Sequence, residues 1–157
     1  MVRALYKERG MTLIEILLVL AILGILALVA VVNFAGKREQ VTLRTGTEAV
    51  YFALEQAKAD ALAGKGGEPQ GVKFNSDSFV RFSGASYSGG ASENLTTKIN
   101  DILTISTTLS GDETIIFSRL TGSTGGTATV TVAVSDDVSV FEQIVVGPLG
   151  DINRVDN

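Results

Sequence analysis

The sequence predicts an α+β protein, with one long N-terminal helix packed on a C-terminal antiparallel β-sheet domain. Three observations predict it. A charge-free apolar run occupies residues 16–36. A helical stripe of apolar residues follows and ends at a Gly-rich break after Ala63. Beyond that break the chain reads as short segments of strand period separated by turn residues.

Composition narrows the function before any motif is considered. The 157 residues carry 13 Lys+Arg against 17 Asp+Glu, for a formal net charge of −4, and contain no His, Cys or Trp. Without Cys there is no disulfide framework, thiol nucleophile or zinc knuckle. Without His the commonest general base and metal ligand are both missing. The acidic balance offers no electrostatic footprint for nucleic acid.

The first element is the apolar run. Ile16 to Gly36 is 21 residues without a charge, and Asn33 is its only strongly polar side chain. A bilayer core needs about 20 helical residues at ~1.5 Å rise each. A helix of that length satisfies every backbone group internally. A buried core helix fits less well, because the run is apolar on all faces. A secretory signal peptide is a second alternative, since Leu28-Val29-Ala30 resembles a small-residue cleavage site, but its apolar region is normally about 7–15 residues. Counting cations does not orient the span: Arg3, Lys7 and Arg9 precede it, and Lys37, Arg38 and Arg44 follow it.

The string Lys7-Glu8-Arg9-Gly10-Met11-Thr12-Leu13-Ile14-Glu15 is the most specific in the chain. It joins a short basic leader ending in Gly to a hydrophobic residue, with a Glu five positions after the Gly. The apolar run, including Leu18-Val19-Leu20-Ala21-Ile22-Leu23-Gly24-Ile25-Leu26-Ala27, comes next. Local physics explains part of the string: Thr12 and Glu15 fit a capping box. Capping does not explain Arg9-Gly10-Met11, nor a carboxylate at the edge of an apolar span, which costs on the order of 2.5–3.5 kcal/mol at the centre and less toward the edge.

This string resembles the class III leader of type IV pilins and of the pseudopilins of type II secretion. The resemblance implies cleavage between Gly10 and Met11 by a prepilin peptidase, followed by N-methylation of Met11. It also implies an assembly role for Glu15, whose carboxylate would pair with the methylated Met11 amine of a neighbouring subunit or of its own chain. Met11 stands where Phe is commonest in the family. Val32 stands where many major pilins have a Pro, which favours a minor subunit. The implied organisation is a leader over residues 1–10, a transmembrane and filament-core helix over 11–36, an amphipathic continuation over 37–63 and an extracytoplasmic β-rich domain over 64–157. The implied partners are other pilin or pseudopilin subunits, the prepilin peptidase and an inner-membrane assembly platform. The implied location is the inner membrane, single-pass with the C-terminal domain outside the cytoplasm, and then the pilus or pseudopilus.

In the continuation, Leu43, Val50, Leu54, Ala57 and Ala61 form one helical stripe, with Arg44–Glu48 and Glu55–Lys58 spaced as ion pairs on the wet side. Ala53, Ala57 and Ala61 allow a sheet to approach closely. Gly46 is expected to mark a bend, and a break of the helix near Asn33-Phe34-Ala35-Gly36 is an open alternative. Gly64-Lys65-Gly66-Gly67-Glu68-Pro69 ends the helix.

The strand candidates are 71–74 and 79–82 as a hairpin around Asn75-Ser76-Asp77-Ser78, then 102–106, 114–117, 127–134 and 142–146. Residues 83–94 read as a Gly/Ser-rich loop. In 127–134, Ala128, Val130, Val132 and Val134 share one face, and Thr127, Thr129, Thr131 and Ala133 the other. This half is similar to H-type pseudopilins and related minor pilins, on the cues Ile115-Ile116-Phe117, the Gly-rich connection, the Thr/Val strand and Ile144-Val145-Val146 before Gly147 and Gly150. Some such relatives bind DNA through basic residues near the C-terminus. Here Gly150 to Asn157 holds one Arg and two Asp, so nucleic acid is disfavoured.

No catalytic, cofactor or metal site is predicted. There is no His to activate a Ser, no nucleophile elbow and no phosphate loop. Asp112-Glu113 and Asp136-Asp137 read as turns rather than calcium ligands. The resulting expectation is a non-enzymatic structural subunit of a type IV pilus or a type II secretion pseudopilus. The alternative is a bitopic membrane-anchored binding module that does not polymerise.

Overall fold

The computed structural model describes residues 11–109 and 113–155, without the side chains of residues 28–37. The predicted leader, including Gly10, lies outside the described residues, as does Asp112. Contacts divide the chain into two compact units, one ending at Arg38 and one beginning at Glu39.

Helix α1 spans Leu13–Leu62. Its backbone runs through Asn33–Gly36 without the break held open above. A short 3-10 turn at Lys65–Gly67 follows it. Among the described residues eight strands follow: β1 Gln70–Phe74, β2 Ser78–Ser83, β3 Leu95–Lys98, β4 Leu103–Thr107, β5 Thr114–Phe117, β6 Ala128–Val134, β7 Phe141–Val146 and β8 Ile152–Val155. They form two four-stranded sheets rather than one, in the orders β3-β2-β1-β5 and β4-β6-β7-β8, and every pairing is antiparallel.

The second unit is organised around the helix stripe. Leu43, Val50, Leu54, Ala57 and Ala61 are all buried and share one apolar cluster with residues from both sheets, among them Phe74, Phe117, Val130, Val132 and Ile144. Full burial of one such large side chain contributes roughly 1.5–3 kcal/mol. Thr47 also lies on the stripe and is fully buried, and its hydroxyl donates to the Leu43 carbonyl at 3.1 Å. That back-bond satisfies the group within its own helix. Along β6, Ala128, Val130, Val132 and Val134 face the core as their alternation requires. Ala133, on the opposite face, is buried as well.

Two glycines are contact positions. Helix α1 continues through Gly46, where a Cβ would collide with Leu103 of β4, so the missing side chain lets helix and sheet touch. Gly150, at φ 81°, sits in the turn between β7 and β8, where a Cβ would collide with the Gly122 carbonyl oxygen. Gly67 also has positive φ, at 76°, but nothing lies within 4 Å of its Cβ position.

The pair Gly67→Ala and Gly150→Ala therefore separates backbone strain from close approach. Gly67→Ala is expected to cost about 1 kcal/mol, the left-handed penalty alone. Gly150→Ala adds a backbone clash and is expected to cost about 1–3 kcal/mol more. Urea unfolding of the two variants in detergent checks the difference.

Candidate functional site

The start of α1 carries the residues singled out by the sequence. Thr12 caps the helix: its Oγ1 accepts from the Glu15 amide at 3.3 Å, and its carbonyl accepts from the amides of Glu15 and Ile16 at 3.1 and 3.3 Å. Half of the capping box is thus present. Among the described residues the Glu15 carboxylate does not accept a hydrogen bond from the Thr12 amide. The Glu15 side chain is exposed and has no ion-pair partner among the described residues. Met11 is adjacent in sequence and 64% exposed.

The helix beyond it is apolar on every side and uncovered. Leu13, Ile14, Ile16, Leu17, Leu18, Leu20, Leu23, Ile25 and Leu26 are all exposed. Small residues interrupt this surface at Ala21 and Gly24, and nothing lies within 4 Å of the Gly24 Cβ position. Isolated exposed apolar residues are ordinary, but a continuous apolar surface of this extent marks a binding or membrane-contacting segment. Among the described residues, no helix is long and apolar enough to cross a membrane. The side chains of residues 28–37, which hold part of the charge-free run, lie outside that description.

The second unit holds its charges in two local networks. On α1, Arg44 pairs with Glu48 at 3.3 Å, as its spacing predicts, whereas no Glu55–Lys58 ion pair forms among the described residues. Arg154 of β8 reaches Glu142 of β7 at 3.1 Å and Glu48 of α1 at 3.7 Å. The single C-terminal Arg is thereby engaged with two carboxylates, an arrangement that ties the last strand to the helix and offers no phosphate cluster. In the second network, Asp60 accepts from Lys65 at 2.8 Å and Gln56 at 3.2 Å, with Arg81 of β2 at 3.9 Å. Burial pushes the Asp60 pKa up, but the hydrogen bonds from Lys65 and Gln56 and the charges of Lys65 and Arg81 together hold it below its ordinary value.

Asp137 closes a turn. Its carboxylate accepts from the Ser139 amide at 3.1 Å and hydroxyl at 2.6 Å, and these bonds lower its pKa. Among the described residues no group of three or more His, Cys, Asp or Glu is placed to hold a metal ion.

The sequence reading missed β3 and β8, the Asp60 network and the role of Arg154. The alternation of Ile152-Asn153-Arg154-Val155 was the available signal for β8, since Ile152 and Arg154 turn inward and the other two face out.

The comparisons with known proteins agree with this anatomy. Residues 5–31 match the prokaryotic N-terminal methylation motif, a stretch that includes Gly10, Met11 and Glu15. The type IV minor pilin FimU of Pseudomonas aeruginosa is similar in structure in two crystal forms. In one, the TM-score is 0.59 at 14% identity, over 73% of this chain and 93% of that one. In the other it is 0.60 at 14% identity, over 78% and 92%. The minor pseudopilin EpsH from the type 2 secretion system of Vibrio cholerae has a TM-score of 0.56 at 10% identity, over 72% of this chain and 95% of that one. No curated protein matches the chain in sequence. The molecule is thus an α+β protein of the pilin fold. It carries the N-terminal methylation motif at the head of its helix, and the resemblance to type IV pilins and pseudopilins is borne out by motif and by fold.

Two expectations follow for the charge networks. Asp60 titrates lower in the folded chain than in the unfolded one, so its contribution to stability is full above pH 3.8 and fades as pH falls from there through the lower folded-state value. Asp60→Asn should remove that part of the acid-side slope, read from unfolding midpoints at a series of pH values. Arg154→Ala should destabilise by about 1 kcal/mol, because the pairs it breaks are only partly shielded from water, and urea unfolding measures it.

Proposed function

We propose that this protein is a non-enzymatic structural subunit of a type IV pilus or type II secretion pseudopilus. The observation that carries the proposal is the helix start: an exposed carboxylate, Glu15, heads a helix whose described side chains from Leu13 to Leu26 are almost all apolar and uncovered. Water does not tolerate that surface, and lipid or like helices do. Lipid and neighbouring helices are equally apolar, so specificity falls to small residues that allow close approach and to the one charge.

In this reading a prepilin peptidase removes residues 1–10 by cutting between Gly10 and Met11, and Met11 is then N-methylated. Residues 11–36 hold the chain in the inner membrane and later pack into the filament core. Residues 37–63 continue the helix into a β-rich domain, 64–157, outside the cytoplasm. The Glu15 carboxylate pairs with the methylated amine of Met11 on a neighbouring subunit. A charge-assisted pair in a low dielectric is strong, and one axial register satisfies it. An inner-membrane platform and other pilin-type subunits are the partners. The lack of a Pro at Val32 and the minor-pilin neighbours in structure support a minor subunit.

Two measurements test the proposal. Mass spectrometry of the native chain should find an N-terminus at Met11 carrying one added methyl group. An intact Met1 would favour a membrane-anchored module that never polymerises. Glu15→Ala should leave membrane insertion unchanged and lower recovery in sheared filaments by tenfold or more. Equal recovery would overturn the pairing role.

A further inference from the structure

The inner face of the first sheet runs on past the helix that covers it. Residues paired directly across antiparallel strands point to the same side, and Val72 of β1, Arg81 of β2 and Leu95 of β3 form one such row. Val72 is fully buried in the core. Leu95 points to the same side and is 53% exposed. The row therefore starts in the core and ends on a leucine that the helix leaves half uncovered.

Around that leucine the surface sinks into a cleft of about 350 Å³. Helix α1 lines it through Ala57 and Asp60, the 3-10 turn through Lys65, β2 through Arg81 and β3 through Leu95, with Glu93 just before that strand. Small-ligand sites run from about 300 to 1,000 Å³. One wall is braced by Gln70, a buried residue whose Nε2 donates to the Lys65 carbonyl and to Ser83 Oγ, both at 3.0 Å. Such bracing lowers the ordering cost of binding.

The charges of the cleft are unequally satisfied. Asp60 and Lys65 pair at 2.8 Å, and Gln56 adds a bond to Asp60 at 3.2 Å. Arg81 is left 3.9 Å from Asp60, too far for a hydrogen bond, and makes none with any described residue. Its side chain is 27% exposed, so five donors are largely withdrawn from bulk water without a protein acceptor. Glu93 has no ion-pair partner among the described residues. One cation, one anion and an uncovered apolar side chain thus remain in one concave site.

We propose that this cleft binds a small zwitterion with an apolar side chain: an α-amino acid of the leucine type, free or at the ends of a short peptide. Its carboxylate takes the unused donors of Arg81, whose fork matches a carboxylate in two parallel bonds. Its ammonium faces Glu93, and its side chain covers Leu95 and Ala57. A zwitterion leaves the net charge of the cleft unchanged, whereas a simple anion adds a second carboxylate beside an unanswered Glu93. The site goes beyond the assembly role and uses neither the apolar helix nor Glu15.

The full-length chain in detergent, carrying methyl-labelled leucines, is titrated with leucine and with three analogues by NMR. Leucinamide lacks the carboxylate, isocaproate lacks the amine and glycine lacks the side chain. Leucine is expected to shift the Leu95 methyls saturably with a Kd of about 1 mM or below, and each analogue to bind at least tenfold more weakly. Arg81→Gln should abolish the leucine response. Glu93→Gln should weaken leucine and strengthen isocaproate, a reversal that loss of folding cannot produce. Leucyl-leucine distinguishes the two sources: tighter binding than leucine assigns the site to peptides, and weaker binding assigns it to the free amino acid. Equal responses to leucine, leucinamide and isocaproate overturn the site, as does the lack of a saturable response to both leucine and leucyl-leucine. Either result leaves the filament reading standing, because that reading is tested by recovery of filaments.

Discussion

An apolar helical surface with a carboxylate at its head cannot remain in water. Along the described part of that helix no side of the cylinder is covered, and Glu15 has no ion-pair partner among the described residues. In the proposed function both deficits are resolved by the same event, the packing of the segment among lipids and like helices. Hydrophobic attraction drives the segment out of water but does not choose a neighbour once it is in the membrane. The choice is left to Ala21, Gly24 and similar small positions, and to the one charge that has to be neutralised. In the proposed assembly the helix supplies the driving force and the helix head supplies the register.

The unit beginning at Glu39 obeys an ordinary globular logic. The second half of α1 buries a single stripe against two antiparallel sheets, and glycines stand where backbone or core side chains approach most closely. Ion pairs involving Arg154 and Asp60 fasten the last strand and the helix end. Among the described residues several polar side chains serve turns and caps. Asp137 is an example: its Oδ1 accepts from both the amide and the hydroxyl of Ser139.

The helix, its stripe and its stop were legible because each rests on a strong local signal. Charge-free length marked the first segment, 3.6-residue spacing marked Leu43 to Ala61, and consecutive glycines marked the end. Strands β1, β2, β4, β5, β6 and β7 were legible because β-branched and aromatic residues alternate there. Strand β3 escaped notice because three of its four residues are exposed and it has no apolar face of its own. Strand β8 escaped because an inward Arg154 disguises its alternation until Glu142 and Glu48 are seen around it. The role of Gly46 was hidden for a different reason: helix propensity describes a glycine's effect on its own helix and says nothing of Leu103 arriving from 57 positions away. The division into two sheets likewise depends on long-range pairing that local pattern does not encode. At the candidate site, the Glu15 anomaly and the Gly10-Met11 junction were visible as a string, while the Arg154 and Asp60 networks needed the fold.

The central claim is that the segment after Met11 exists to lie against segments of the same kind. A photoreactive amino acid in place of Leu17, irradiated in intact cells and followed by mass spectrometry of the adducts, addresses it most directly. The account predicts adducts to the apolar N-terminal helix of pilin-type chains, in addition to lipid. Adducts to lipid alone, in cells that are making filaments, would contradict it.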